Sequence, residues 1–178
     1  MTNQEIAKIF YEIALYFEMD EVPFKPQAYE KAAVNIETLS EDIETLYKKG
    51  GVEALEKIPG VGKGLAEKII EYLKTGKLRE HQALKKKIPV NIEELAAVEG
   101  VGPKIIKTLY KELKIKNLQD LEKAAKAGKI RELPRFGEKK ERNILESIEF
   151  LKRSGGRFLL GEILPHVYKI INERKKLK

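Results

Sequence analysis

Ile58-Pro59-Gly60-Val61-Gly62-Lys63 returns along the chain as Val98-Glu99-Gly100-Val101-Gly102-Pro103, and in weaker form as Leu133-Pro134-Arg135-Phe136-Gly137-Glu138. In each copy an apolar segment runs into a glycine-bearing turn, and a lysine-rich segment follows at once. In the first two copies that segment has helical apolar spacing, Leu65, Ile69 and Leu73 in one and Ile105, Leu109 and Leu113 in the other. This is the pattern of a helix-hairpin-helix. Glycine permits the positive φ of a tight turn and lets backbone approach a ligand, while the next helix turns unpaired N–H groups and a positive dipole end outward. Such an end suits a phosphate. The plain alternative is an αα-hairpin whose glycines only cap helices. Repetition with lysines after each turn favours the phosphate-holding loop, and singles out Gly60, Val61, Gly62, Lys63, Gly100, Val101, Gly102, Lys104, Gly137 and Lys139.

Composition agrees. The 178 residues suffice for one or two domains with a real core, and 42% apolar content excludes general disorder. A formal charge of +7 attracts polyanions once the 35 basic and 28 acidic residues segregate onto different faces. Lys104, Lys107, Lys111 and Lys114 do segregate, at i, i+3, i+7 and i+10 opposite Ile105, Leu109 and Leu113. The absence of cysteine excludes disulfides and thiolate metal sites and suits an intracellular protein. No apolar run approaches the roughly 20 residues of a membrane span, and the start is charged and amphipathic rather than a secretory signal.

Helices are expected almost everywhere. Thr2 and Glu5 form a capping box before Ile6, Ile9, Phe10, Ile13 and Phe17. A second helix begins near Pro26 and carries Tyr29, Ala32, Ala33 and Ile36 inward; Ser40 caps a third, which stops at Gly50-Gly51. Residues 52–58 enter the first hairpin and residues 64–74 leave it. Lys74 to Pro89, with Thr75-Gly76 and Lys85-Lys86-Lys87, reads as a boundary. Asn91 with Glu94 predicts another capping box, Asn117 and Asp120 cap a helix ending by Gly128, and a long helix over 138–152 ends at Ser154-Gly155-Gly156. Only Arg157 to Leu160 reads as extended, and Pro165 sits near the start of a last basic helix. The expected fold is all-α: two helical subdomains with tandem helix-hairpin-helix motifs, over residues 1–82 and 89–155, joined by a linker at 83–88.

The order of a four-helix module with a hairpin, Thr75-Gly76-Lys77-Leu78-Arg79, a second hairpin at Val98 to Lys104 and a third at Leu133 to Arg142 resembles the amino-terminal half of the family X DNA polymerases, the polymerase-beta-like repair enzymes. The third hairpin and Arg157-Phe158-Leu159-Leu160-Gly161-Glu162-Ile163-Leu164-Pro165 look most like the bacterial and archaeal members. The resemblance implies that residues 1–82 are a lyase-type domain gripping the 5′-phosphate side of a DNA gap. In several members that domain also excises a 5′-deoxyribose phosphate. The family's Schiff-base lysine matches Lys68; a neutral amine adds to the sugar aldehyde, and the iminium is an electron sink for β-elimination. Lys25, Tyr29 and Lys31 match positions lining the phosphate pocket, whereas Glu80, Gly64 and Glu30 stand where the family carries basic residues. These departures bear on lyase efficiency more than on DNA binding. The resemblance further implies a monovalent cation, Na+ or K+, in each of the first two hairpins, held by main-chain carbonyls of Glu56, Ile58 and Val61 and of Ala96, Val98 and Val101. Its implied partners are gapped, nicked or abasic DNA and a palm domain beginning near residue 156, so that 156–178 would be the start of a truncated palm. It implies a cytoplasmic setting, nucleoid-associated in a prokaryote, with no membrane.

Two-metal nucleotidyl transfer needs clustered carboxylates. The three aspartates, Asp20, Asp42 and Asp120, are scattered over helix termini, and His81 and His166 read as isolated and exposed. No Walker-type loop or nucleophile elbow is present. Three readings stay open: the DNA-gripping region of a repair polymerase with a lyase lysine, a DNA-binding module in which Lys68 only contacts phosphate or pairs with Glu67 or Glu71, and a protein-binding helical domain.

Overall fold

The computed structural model describes residues 2–153, and every regular element among them is an α-helix. The all-α expectation holds there; the features predicted over 154–178, with His166, lie outside the described residues. The chain divides into two compact units, Met1–Ile88 and Pro89–Lys178.

The first unit is organised around α1 (Asn3–Met19). Its capping box forms as predicted: the Thr2 N–H donates to the Glu5 carboxylate at 2.8 Å, and the Thr2 hydroxyl accepts the Glu5 N–H at 3.2 Å. Of the predicted stripe, Ile6, Phe10, Ile13 and Phe17 are buried and Ile9 only half so, while Ala7, Tyr11, Ala14, Leu15 and Tyr16 are also at most 2% exposed. Two helices pack on it, α2 (Lys25–Glu37) and α5 (Arg79–Lys87). Tyr29, Ala32, Ala33 and Ile36 line the buried face of α2, as their spacing predicts, and the Tyr29 ring meets Phe10 edge-on at 5.1 Å. α3 (Ile43–Glu56) has Asp42, not Ser40, at its N-cap, and Asn3 Oδ1 accepts the Ile43 N–H at 2.8 Å, so the cap comes from α1. Gly51, at φ 60°, breaks this helix where Gly50-Gly51 predicts a stop. α4 (Lys63–Thr75) closes on Gly76 in the left-handed region.

The division between the units falls at the end of the stretch Lys74 to Pro89 that reads as a boundary, and the structure narrows that stretch. Residues 83–87, expected as linker, are the second half of α5. Leu78 ahead of it is 1% exposed, Lys87 pairs with Asp20 at 2.6 Å, and His81 Nε2 lies 2.7 Å from Glu12. His81 is therefore mostly buried and partnered, not isolated. Burial alone would raise the Glu12 carboxyl; the His81 hydrogen bond and the charges of His81, Lys85 and Lys8 outweigh that and hold it below its ordinary value.

The second unit contains α6 (Ile92–Ala96), α7 (Pro103–Leu113), α8 (Leu118–Lys126) and α9 (Glu138–Arg153). Asn91 Oδ1 accepts the Glu94 N–H at 3.4 Å, but the expected reciprocal bond is absent. The Asn91 N–H donates to the Lys116 carbonyl at 2.7 Å instead, and Glu94 accepts the Leu118 N–H at 3.2 Å, joining α6 to the start of α8. Asn117 caps α8 as predicted, through the Asp120 N–H at 2.9 Å.

No helix leads into the third hairpin, so the Ile130 and Arg131 N–H groups lack intrahelical acceptors. Glu141, 1% exposed, supplies one: its carboxylate accepts both, at 3.1 and 3.0 Å, and the Arg131 Nε–H at 2.6 Å. Burial alone would raise this carboxyl, but the backbone and side-chain bonds and charge of Arg131, with the Ile130 N–H, hold it below its ordinary value. Replacing Glu141 by Gln at neutral pH is expected to destabilise the second unit by about 2–3 kcal/mol, read from urea denaturation. A depressed folded-state value means the carboxylate's contribution is full above its unfolded value near 4.3 and lost as pH falls through the folded one. The difference between parent and Glu141→Gln therefore persists at pH 6 and closes in acid.

Candidate nucleic-acid interface

The three hairpins share one turn. Gly60, Gly100 and Arg135 occupy the turn with φ of 86°, 78° and 68°. The next amide then bonds back three residues: Val61 to Ile58 at 2.9 Å, Val101 to Val98 at 3.0 Å, and Phe136 to Leu133 at 3.0 Å. The following helix opens with matching bonds, Ala66 to Gly62 and Ile106 to Gly102, each at 2.9 Å, and Glu141 to Gly137 at 3.1 Å. The third copy, weakest in sequence, thus keeps the turn and both bonds, and its arginine adopts the left-handed region that glycine takes elsewhere; it departs at the second glycine, Gly137 standing at φ 130° where Gly62 and Gly102 stand at −90° and −84°.

The apolar faces sit slightly rotated from expectation. Ala66, Ile69 and Tyr72 are buried on α4, and Ile106 and Leu109 on α7; Leu65, Leu73, Ile105 and Leu113 flank them half-buried. Val61 and Val101 point inward at 3% and 2% exposure, so they shape the turns rather than offer side chains to a ligand. Gly62 and Gly102 cap α4 and α7 without a side-chain hydrogen bond, leaving the first-turn N–H groups to solvent or a ligand.

Lys63, Lys111 and Lys139 are exposed beside or after the turns and make no ion pair among the described residues. Lys104 is exposed and Lys107 half-buried on α7, but the fourth predicted member of the stripe, Lys114, is the C-cap at φ 55°, with its ammonium 5.6 Å over the Tyr110 ring. At that end an open cavity of about 520 Å³ gathers Lys114, Lys116, Lys123 and Lys129. Its one carboxylate, Asp120, accepts the Lys116 N–H at 3.1 Å.

In the first unit the structure brings Lys25, Tyr29 and Lys68 together, around Glu80. Lys68 Nζ lies 2.7 Å from Glu80, Lys25 Nζ lies 3.8 Å from it, and the Tyr29 hydroxyl donates to it. Lys25 also stands 4.5 Å over the Phe17 ring. Lys68 pairs with neither Glu67 nor Glu71; the latter accepts the Arg79 N–H at 3.0 Å. Burial alone would raise the Glu80 carboxyl, but the Lys68 and Tyr29 hydrogen bonds and the lysine charges keep it below its ordinary value. Burial, then the bond to Glu80, pushes the Tyr29 phenol far up, so it remains a donor. Lys31 stands apart from this cluster, its stem running against the first turn. Phe24, which no periodicity singles out, is 85% exposed at φ 64°, just before Lys25. A ring held in water by such backbone is a surface on which a base can stack. No group of three or more metal-ligating side chains occurs among the described residues, and no helix there is long and apolar enough to cross a membrane.

Repeated turns, helix N-termini and lysines define a chain of helix-hairpin-helix domains. Residues 1–78 match the helix-hairpin-helix domain family, and residues 92–149 match the SAM-like helix-hairpin-helix tandem family. Over 165 residues, 92% of its length, the chain is 32% identical to the DNA polymerase/3'-5' exonuclease PolX of Bacillus subtilis (strain 168), and it is thereby related to the family X DNA polymerases. It spans 28% of that relative's length.

The turn geometry separates two glycines that look alike in sequence. A Cβ on Gly60 would lie 2.8 Å from Lys31 Cγ and 3.3 Å from the Ala32 backbone nitrogen, whereas one on Gly100 meets nothing within 4 Å. Gly100→Ala should cost only the positive-φ penalty, about 1 kcal/mol, and Gly60→Ala clearly more, because α2 backbone must also shift. Thermal denaturation of the two variants compares them directly.

Proposed function

We propose that this chain binds DNA without reading its sequence, at gaps and 5′-phosphate ends, as the amino-terminal part of a family X repair polymerase. The observation that carries this is the hairpin turn repeated three times, each copy followed by a helix N-terminus and by lysines. Main-chain N–H groups and lysine ammoniums contact phosphates and carry no base information. In this reading Gly60 to Lys63, Gly100 to Lys104 and Gly137 to Lys139 meet the backbone, and Lys104, Lys107 and Lys111 extend the contact along α7. The carbonyls of Ile58 and Val98 each accept one hairpin bond and keep a second lone pair. Together with those of Glu56 and Val61, and of Ala96 and Val101, they would hold a monovalent cation, whose charge would draw a phosphate toward the turn.

Lyase chemistry belongs to the same proposal. The Lys68 amine adds to C1′ of the ring-opened sugar and water leaves to give the iminium. A base takes a C2′ proton, and the C3′–O bond breaks with its electron pair departing on the phosphate. The Lys68–Glu80 pair favours a second reading, a structure-specific DNA-binding module without catalysis in which Lys68 only contacts phosphate.

Fluorescence anisotropy should show tighter binding to a gap bearing a 5′-phosphate than to one bearing a 5′-hydroxyl; equal affinity would remove the first unit from the proposed contact. Lys111→Ala should weaken binding to all sequences alike and reduce the slope of log affinity against log salt by about one unit. Borohydride trapping on abasic DNA separates the two readings of Lys68. A catalytic lysine gives an adduct that Lys68→Ala abolishes while gap affinity changes by a few-fold, and the module reading gives no adduct in the parent.

A further inference from the structure

Donors from two helices converge on a carboxylate carried by a third. Lys25 and Tyr29 come from α2, Lys68 from α4, and Glu80 from the first turn of α5. Two ammoniums and a hydroxyl directed at a pair of oxygens is how proteins hold an external oxyanion, and bonds to charged partners are the strong ones. Here the anion is part of the chain. The packing of α5 does not rest on it, since Leu78 is buried, His81 bonds to Glu12 and Lys87 pairs with Asp20. Glu80 keeps a quarter of its side chain exposed, which gives it a way out into water.

We infer that Glu80 is an internal anion occupying a cage for a phosphate monoester formed by Lys25, Tyr29 and Lys68, and that a terminal phosphate gains these donors only by displacing it. The DNA side of this inference rests on the proposed reading that the cage faces the 5′ end at a gap. A monoester carries a charge of about −1.5 to −2 at neutral pH against −1 for the carboxylate, so it competes for the same donors. The displaced carboxylate regains hydration, and the cost of its release is subtracted from every binding event. Glu80 thus sets how tightly the pocket holds an end, and makes that hold exchangeable.

Glu80→Gln tests this, being isosteric and leaving an oxygen for the Tyr29 hydroxyl; Glu80→Ser removes the reach altogether and guards against an amide that mimics the acid. The affinity ratio between 5′-phosphate and 5′-hydroxyl gaps should rise about five- to tenfold over the parent in both variants. Where the parent already prefers the 5′-phosphate gap, a ratio that stays constant or falls overturns the inference, because Glu80 would then be aligning the donors rather than occupying them. In parallel, inorganic phosphate should raise the melting temperature of both variants more than that of the parent. If phosphate does so while no protein distinguishes the two gaps, the cage stands and the reading that it faces a DNA end falls. If phosphate stabilises the variants no more than the parent, the cage itself is refuted.

Discussion

A backbone turn that holds one residue at positive φ, so that the next amide bonds back three residues, is the constraint on which both units depend. It buries Ile58 with Val61 and Val98 with Val101 on the inner side of their turns, leaves Leu133 and Phe136 half-buried in the third, and is followed at once by the start of α4, α7 and α9. Glycine meets the constraint at no steric cost, and Arg135 meets it at a cost of about 1–2 kcal/mol. That an arginine adopts this geometry shows how strongly the surrounding bonds determine it. The turn is compulsory because it buries apolar side chains and presents a helix N-terminus in one move.

What could be read from sequence was whatever the chain settles within a few residues. The Thr2–Glu5 box, the Asn117 cap, the break at Gly51 and the inward face of α2 each depend on neighbours at i+3 or i+4, and each appears in place. The misread features depend on distant partners. Asn3, from α1, caps α3 in place of Ser40. Glu94 turns away from its own N-cap because the start of α8 offers an N–H, and the lysine-rich stretch expected as linker is a helix because α1 gives it Glu12 and Asp20 to hold. Charge patterning suggests a boundary over the whole stretch; the division falls only at its end, and the opposite charges that hold α5 in the first unit lie on α1 and its C-cap.

The candidate site divides along the same line. Hairpin positions were legible because the motif is local and repeated. The grouping of Lys25, Tyr29 and Lys68 came from resemblance, not from periodicity, since no spacing rule connects α2 with α4. Glu80 was visible only as an acid where a base was expected. Its part as the hub of the cluster depends on the start of α5 lying against α2 and α4, which a supposed boundary segment gave no reason to anticipate. Phe24 was invisible for another reason: an aromatic beside a proline reads as core, and its exposure follows from a positive φ that no pattern signals.

The same contrast governs the charges. A net charge of +7 spread over 35 basic and 28 acidic residues understates how differently the two signs are used. Glu12 and Glu141 are nearly buried, with their oxygens committed to His81, to Arg131 and to backbone N–H groups. Glu94 and Asp120 likewise accept main-chain donors, and Glu122 takes both Lys126 and Lys152 at 2.8 and 2.5 Å. Carboxylates spent in this way hold helices together and neutralise charge away from the turns. Lys63, Lys111 and Lys139, by contrast, have no ion-pair partner among the described residues. Exposed carboxylates stand near them, Glu99 in the second turn and Glu138 beside Lys139, so a polyanion following the turns meets unpaired ammoniums with acids interleaved among them. Acids committed to structure thus decide which lysines are held in pairs and which remain available at the turns, and net charge alone does not distinguish the two.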